Sequence, residues 1–433
     1  MSDKSWLSKL MQIRRPAPPP PVAPGLYHTT RETDGQFTRY HLRVERDGSG
    51  MLIANASAAA RLTPPGVVIA QGLLEGKGED AILVDLATRF EGTHEAQVRA
   101  DIAQVKALIQ AMLNPGDTFP IFSLDDALLS PFGAELIAPL QAAVPLAGPE
   151  QLLPLLDRIW EVAIPHVTLF APPAVVPEHL VRAIERAEAL GMIAGVRALA
   201  TTLSAEGLLP LLWQTGADHV TVPYASSDPA VHDALCGPGD HAAAVALFDW
   251  LQENEIAAVA EVPLVVESVE MLEETVEALA ALGADSLSFV AYATTEETRT
   301  DGDSALFAAA LPQVATRVEE AATLNDLRFI WEPPVERDPV LTLPAQVQRG
   351  PRCSAEVAVR VESNGAVIPP RGPYRTAGNL LRDSWESIWE DSAFLRYREQ
   401  VEAPTSRCEV CPGLALCAAV CPADPAGWAR RRT

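Results

Sequence analysis

From Pro149 to Trp331 the chain repeats one pattern, a helical stripe followed by a short apolar run, and no other feature restricts its fold as strongly. The spacing predicts helices over Glu150–Val162, Glu178–Leu190, Ser204–Trp213, Ala242–Glu253, Ser268–Leu282 and Phe307–Ala322. Between them it predicts buried strands at Val167–Phe170, Met192–Val196, His219–Val222, Ile256–Val265, Ser286–Tyr292 and Arg328–Trp331. Strands joined through helices by short connections imply a parallel sheet with helices outside. Five or six such units make a partial or complete barrel, with any catalytic groups at the carboxyl ends of the strands. His166 and His219 open their strands, which is the wrong end for a barrel site.

That unit is only part of the chain. A length of 433 residues calls for two or three cores, and 48% hydrophobic with 21% charged residues describes a globular protein. The formal net charge of −24 argues against a nucleic-acid partner and an anionic membrane surface. No apolar run approaches the roughly 20 residues of a transmembrane helix. In residues 1–24, Trp6, Leu7, Leu10, Met11 and Ile13 share a stripe with Lys4, Lys9, Arg14 and Arg15 around it. Ser8 and Lys9 interrupt the apolar part, a poor signal peptide, so the expected location is cytoplasmic. The tail reads as a docking helix or as a frayed segment, with Pro16–Pro24 as an extended spacer.

Residues 25–114 form a different unit. Gln36–Arg46 and Met51–Asn55 are β-prone runs separated by Asp-Gly-Ser-Gly, a hairpin signal. Helical patterns follow at Ser57–Leu62, Gly66–Leu74 and Glu79–Phe90, then in a last helix with Val98, Ile102, Val105, Ile109 and Leu113 on one stripe. A small sheet followed by three or four helices is a winged-helix-like α+β module. The stretch MLIANASAAARLTPPGVVIAQGLLEGKGEDAILVDLATRFEGTHEAQVRADIAQVKALI resembles a PqqD-like domain, also called a RiPP recognition element. The resemblance implies capture of a precursor peptide as an added strand, with Leu52, Ile53, Val98, Ile102 and Val105 at the peptide site. A module that only props the next domain is the alternative. The last helix mixes Glu95, Asp101, Arg99 and Lys106, which speaks against reading DNA.

Residues 116–335 resemble the partial (β/α)6, TIM-like barrel of the radical SAM superfamily, through VAIPHVTLF, VRAIERAEALGMIAGVRA, HVTVPYASSDPAVHDALCG and LEETVEALAALGADSLSFV. His232, Asp233 and Gly237 fall where that family carries an H-D-x-x-x-G loop. The family holds its catalytic cluster on C-x3-C-x2-C after the first strand. This chain has no cysteine before Cys236 and reads IAPLQAAVPLAGPEQLL at that place. The family's Gly-Gly-Glu-Pro stretch is here Ala171-Pro172-Pro173-Ala174, without a carboxylate. Bound S-adenosylmethionine is therefore not expected, and the barrel is expected to be a pseudoenzyme. His232 and Asp233 read as braces of their loop, and Cys236 has no basic neighbour to activate it.

Near the end, Cys408, Cys411, Cys417 and Cys421 follow the spacing C-x2-C-x5-C-x3-C. Clustered thiolates in a chain without an export signal point to metal, either an iron–sulfur cluster or zinc. Residues 340–433 resemble the SPASM domain, through Cys353-x11-Gly365, AGNLLRDSWESIWEDSAFLRYRE and the four-cysteine spacing. In that pattern Cys408, Cys411 and Cys417 serve one cluster, and Cys421 serves a second with Cys353 and a position that is here Pro370. Five cysteines cannot fill two four-ligand sites. The expectation is one [4Fe–4S] cluster on Cys408, Cys411 and Cys417, with Cys421, Cys353 or Asp424 as fourth ligand and zinc as the alternative metal.

Three functions compete: a catalytically dead radical SAM-like partner that presents a precursor peptide to an active maturase, an iron–sulfur electron-transfer subunit, and an enzyme with unrelated chemistry in the barrel. The first accounts for most of the pattern.

Overall fold

The computed structural model describes residues 21–33, 36–55, 58–92, 94–113, 136–254, 256–284, 286–294, 304–307, 310–332, 334–351, 358–369 and 375–395. The first unit is an antiparallel sheet of β1 (Gly25–Thr33), β2 (Gln36–Val44), β3 (Gly50–Ala54) and β4 (Ala58–Leu62), paired in that order. Helices Pro64–Leu74, Glu79–Arg89 and Glu95–Ala111 cover one face. The helix expected at Ser57–Leu62 is instead the edge strand β4. A segment this short cannot sustain a helix alone. Asn55 takes a left-handed turn at φ 50, Ala58 pairs with Ala54, and Thr63 caps the helix that follows.

The period of β2 decides how this unit is used. Tyr40, Leu42 and Val44 face the helices, where Leu52, Val98, Ile102 and Val105 complete a core. Arg39, His41, Arg43 and Glu45 alternate with them, and the last three are fully or almost fully buried. What covers them is the second unit. There β5 (Gln141–Pro145), β6 (His166–Phe170), β7 (Ile193–Arg197), β8 (His219–Pro223), β9 (Ala258–Leu264) and β10 (Ser286–Thr294) run parallel in sequence order. Three short strands, β11 (Leu306–Phe307), β12 (Arg328–Trp331) and β13 (Val335–Glu336), add to β10, also parallel. The six apolar runs read from the sequence all become strands of this sheet. Missing from that reading are β5, whose QAAVP carries little β signal, and the two-residue strands β11 and β13.

The third stretch is not a separate layer. The expected hairpin forms as β14 (Ala358–Val361) and β15 (Ala366–Ile368), but β14 pairs in parallel with β5 and continues the large sheet. Helix Trp385–Trp389 then returns beneath β5, where the Trp385 and Trp389 indoles donate to the carbonyls of Ile137 (2.7 Å) and Leu136 (2.9 Å).

Residues 136–140 thus lie between both flanking units. From the other side Arg43 donates to the Pro139 carbonyl (2.8 Å), and Glu45 accepts from the Ile137 amide (2.7 Å) and from Arg43 Nε (2.6 Å). Arg39 donates to Glu188 (2.6 Å), to the Met192 carbonyl (2.8 Å) and to Asp218. Gly191, the left-handed cap of helix Pro177–Leu190 at φ 84, lies so close that an added Cβ would fall 2.5 Å from the His28 ring.

A buried ion pair that loses one member leaves an uncompensated charge, at a cost of about 3–5 kcal/mol. Glu45→Leu is therefore expected to destabilise the protein by about that much in denaturant unfolding. The double variant with Arg43→Met should recover most of it.

Candidate functional site

The cysteines proposed to hold metal, Cys353, Cys408, Cys411, Cys417 and Cys421, lie outside the described residues, as do Pro370 and Asp424. The five residues expected to meet a peptide are all described and all buried. Leu52, Val98, Ile102 and Val105 are packed together in the core of the first unit. Ile53 points the other way, into the core of the parallel sheet. Their strand, β3, is paired on both sides, by β2 and by β4. The free edges among the described strands of this sheet are those of β1 and β4.

The place to look for chemistry in the parallel sheet is its carboxyl end. The connection from β5 to its helix is only Leu146, Ala147 and Gly148, and the Leu146 amide is tied to the Phe170 carbonyl at 2.9 Å. It carries no thiol. Two charged residues stand inside apolar strands here, Arg197 at the end of β7 and Glu261 in β9. Arg197 Nε and Nη2 donate to the two carboxylate oxygens of Glu261 at 2.8 and 2.5 Å. Its remaining contacts are the carbonyls of Gln348 (3.0 Å) and Val347 (2.9 Å). Four of the five guanidinium N–H groups are thereby used within the protein. Burial works against the Arg197 charge, and the Glu261 carboxylate beside it more than offsets this.

Those two carbonyls belong to helix Leu343–Arg349, which lies across the mouth of the sheet. Leu343 and Val347 pack on Leu199, Ala225, Leu235, Val265 and Tyr292. Gln348 Nε2 donates to the carbonyls of Leu235 and Cys236, each at 3.2 Å. The helix ends at Gly350, φ 81, where an added Cβ would come within 2.7 Å of the Arg197 guanidinium carbon. Arg197 and Arg360 also flank the Phe170 ring, at 5.3 and 5.6 Å from its centroid. Below this closure the interior stays polar, with Thr168, Thr221, Ser288 and Glu332 lining a small cavity under the ion pair. In the apolar seal the Tyr292 hydroxyl is buried without a hydrogen-bond partner, and burial, then Glu261, raise its pKa.

A second polar cluster lies beside the mouth. Asp228 caps helix Pro229–Cys236, accepting from the Ala230 amide at 2.7 Å. His232 Nδ1 accepts from the Ala225 amide (3.2 Å), so its proton sits on Nε2, which donates to Asp240 Oδ2 (3.1 Å). Asp240 Oδ1 accepts from the amide and hydroxyl of Thr201, at 2.8 and 2.7 Å. Asp233 accepts from the amides of Gly239 (2.7 Å) and His241 (2.9 Å). The ligand atoms of His232, Cys236 and Asp240 lie within 4.8 Å of one another, as metal ligands would. The hydrogen bonds oppose that use: a metal on Nε2 would move the proton to Nδ1, directly against the Ala225 N–H. Burial, then the Asp240 charge, push the Cys236 thiol up, away from the thiolate a metal needs. The cluster braces the loop after β8 on the helix that follows it.

Sequence reasoning did not single out Arg197, Glu261 or Asp240. The available signal was a charge interrupting an apolar strand, in GVRAL and AVAEVP.

No family model matches the sequence, and no curated protein is similar to it. Solved structures are similar in fold. SuiB of Streptococcus suis bound to S-adenosylmethionine superposes with a TM-score of 0.55 at 13% identity, over 90% of this chain and 95% of that one. The same protein bound to the precursor peptide SuiA gives 0.51 at 13% identity, over 91% and 95%. The fold is that of SuiB. An identity this low carries the fold alone.

A thiol this buried and this hard to ionise should not react. In the native protein at pH 8, Cys236 is expected to escape iodoacetamide and to become labelled once urea unfolds the chain, read by peptide mass spectrometry.

Proposed function

We propose that this protein is a catalytically inactive radical SAM-like partner: it captures a precursor peptide, holds one iron–sulfur cluster and presents the peptide to an active maturase. The observation that carries this reading is the closed carboxyl end of the parallel sheet. In SuiB the same fold is seen with S-adenosylmethionine and with a precursor peptide. Here the first connection has three residues and no thiol, helix Leu343–Arg349 covers the mouth, and the Arg197–Glu261 pair turns its donors inward. These residues do not fit S-adenosylmethionine.

Peptide capture draws its support from the first unit, a PqqD-like module ahead of a partial barrel. An extended peptide adding to β1 or β4 would gain main-chain hydrogen bonds along a whole strand. The iron–sulfur assignment rests on the chemistry of the donors. Cys408, Cys411 and Cys417, with Cys421 or Cys353 as the fourth thiolate in a SPASM-like domain, would hold a [4Fe–4S] cluster, which supplies one-electron exchange.

The test is anaerobic purification of the full chain, followed by metal analysis, S-adenosylmethionine titration and pull-down of short peptides and partner proteins. The reading expects iron and sulfide, no binding or cleavage of S-adenosylmethionine after dithionite reduction, and recovery of a precursor peptide with a maturase. Formation of 5′-deoxyadenosine would overturn the inactive assignment. Zinc without iron would overturn the cluster, and recovery of neither peptide nor maturase would overturn the partner role.

A further inference from the structure

The amino end of the parallel sheet holds a feature the proposed function does not use. His28 and His41 stack at 5.1 Å between ring centroids, both edge-on to Trp160 of the first sheet-covering helix. Below them His166 and His219 meet Nε2 to Nε2 at 2.8 Å, both completely enclosed. Two of these imidazoles belong to the first unit and two to the strands it covers. His41 Nε2 is bound to the Gly191 carbonyl, and Nδ1 of both His41 and His166 is buried with no partner.

We propose that this histidine column makes the docking of the first unit a pH-releasable contact, closed at neutral pH and opened by acid while each unit keeps its own fold. His41, His166 and His219, the enclosed members, must be neutral to stay where they are, whereas His28 is exposed. Protonating the His166–His219 pair would set two charges against each other, and protonating His41 would add one beside Arg39 in a site closed to water. Separation would wet these three at once, because the first unit is the lid over the amino end of the sheet. The core of the first unit contains no buried histidine besides His41, which lies on its docking face.

The charged groups around the column are Arg39, Glu188 and Asp218, with the Arg43–Glu45 pair further along β2. Burial lowers His41 to about 3 and His219 to about 4, and takes His166 well below its ordinary value. These three therefore bind protons more weakly when docked, so docking is complete above about pH 6.5 and is lost as the pH falls toward their docked values. Asp218 works in the opposite sense. Burial raises it to about 6, so it takes up its proton while docked and favours docking as the pH falls below that. Three protons gained on release against one lost leaves two, and His28, which burial and then Arg39 also lower, adds to the gain. The docking equilibrium should weaken by about a hundredfold or more per pH unit between roughly pH 6 and 4.

The experiment uses the full chain with a fluorophore on each unit, at Val84 and Leu324, both exposed. Energy transfer is followed from pH 7.5 to 4, with far-ultraviolet circular dichroism alongside. The expected result is loss of transfer ahead of loss of helix, with a slope of two to three protons. Asp218→Asn should steepen that slope by about one proton, and His166→Gln with His219→Gln should flatten it. Each slope is readable even if the midpoint moves. Loss of transfer and helix in one transition would overturn the proposal, as would a slope unchanged in both variants.

Discussion

The arrangement hangs on one face of β2. In a free-standing antiparallel sheet, the positions alternating with the core side chains meet water, and Arg39, His41, Arg43 and Glu45 are residues suited to that. Here they are pressed against the amino end of a second sheet. A polar face removed from water needs partners, and these side chains reach Glu188, Asp218 and the carbonyls of Pro139, Gly191 and Met192, leaving His41 Nδ1 and Arg43 Nη2 without one. Met51 and Ile53 on the neighbouring strand supply apolar contact. The charged groups supply register, because a one-residue slip would turn Tyr40 and Leu42 toward Asp218 and bury the arginines among aliphatic side chains.

The same face explains where the sequence was legible and where it was not. Period and length identified the strands at His166, Ile193, His219, Ala258, Ser286 and Arg328, because a strand buried on both faces reads as an apolar run. The period also identified the helices that cover them. It was misleading wherever a residue's partner lies far along the chain. Ala58–Leu62 is a strand because β3 lies beside it, not because alanine favours one. QAAVP is a strand because β6 and β14 flank it. Arg197 and Glu261 are 64 residues apart, and nothing local joins them. Leu52, Val98, Ile102 and Val105 were legible as an apolar set, but a sequence does not separate a groove that waits for a peptide from a core already filled.

The two ends of the parallel sheet have been finished differently. At the carboxyl end, helix Leu343–Arg349 and the Arg197–Glu261 pair satisfy each other, and the apolar seal of Leu343 and Val347 keeps water from the pair. Such a pair adds little net stability over an apolar filling, but losing either member is costly, so it holds the closure in one geometry. At the amino end the groups are neutral histidines in a contact between units. Nδ1 of His41 and of His166 has no partner, and a change of protonation there is felt directly as a force on docking.

This contrast bears on what the closed end can mean. An enzyme of this fold must admit a cofactor and a substrate at the carboxyl end, so whatever lies across that end has to move in every turnover. Helix Leu343–Arg349 is poorly placed to do so. It is held from its middle, by Gln346 to Arg337, and near its carboxyl end, by Gln348 to the carbonyls of Leu235 and Cys236, and its own carbonyls ground the buried arginine. Lifting it would strip a guanidinium of two acceptors and expose Tyr292 and Val265 together. A cover with that many simultaneous contacts behaves as part of the core. On the proposed reading, binding surfaces are then to be sought at the outer strands of the first sheet, β1 and β4, which an inactive partner would still need.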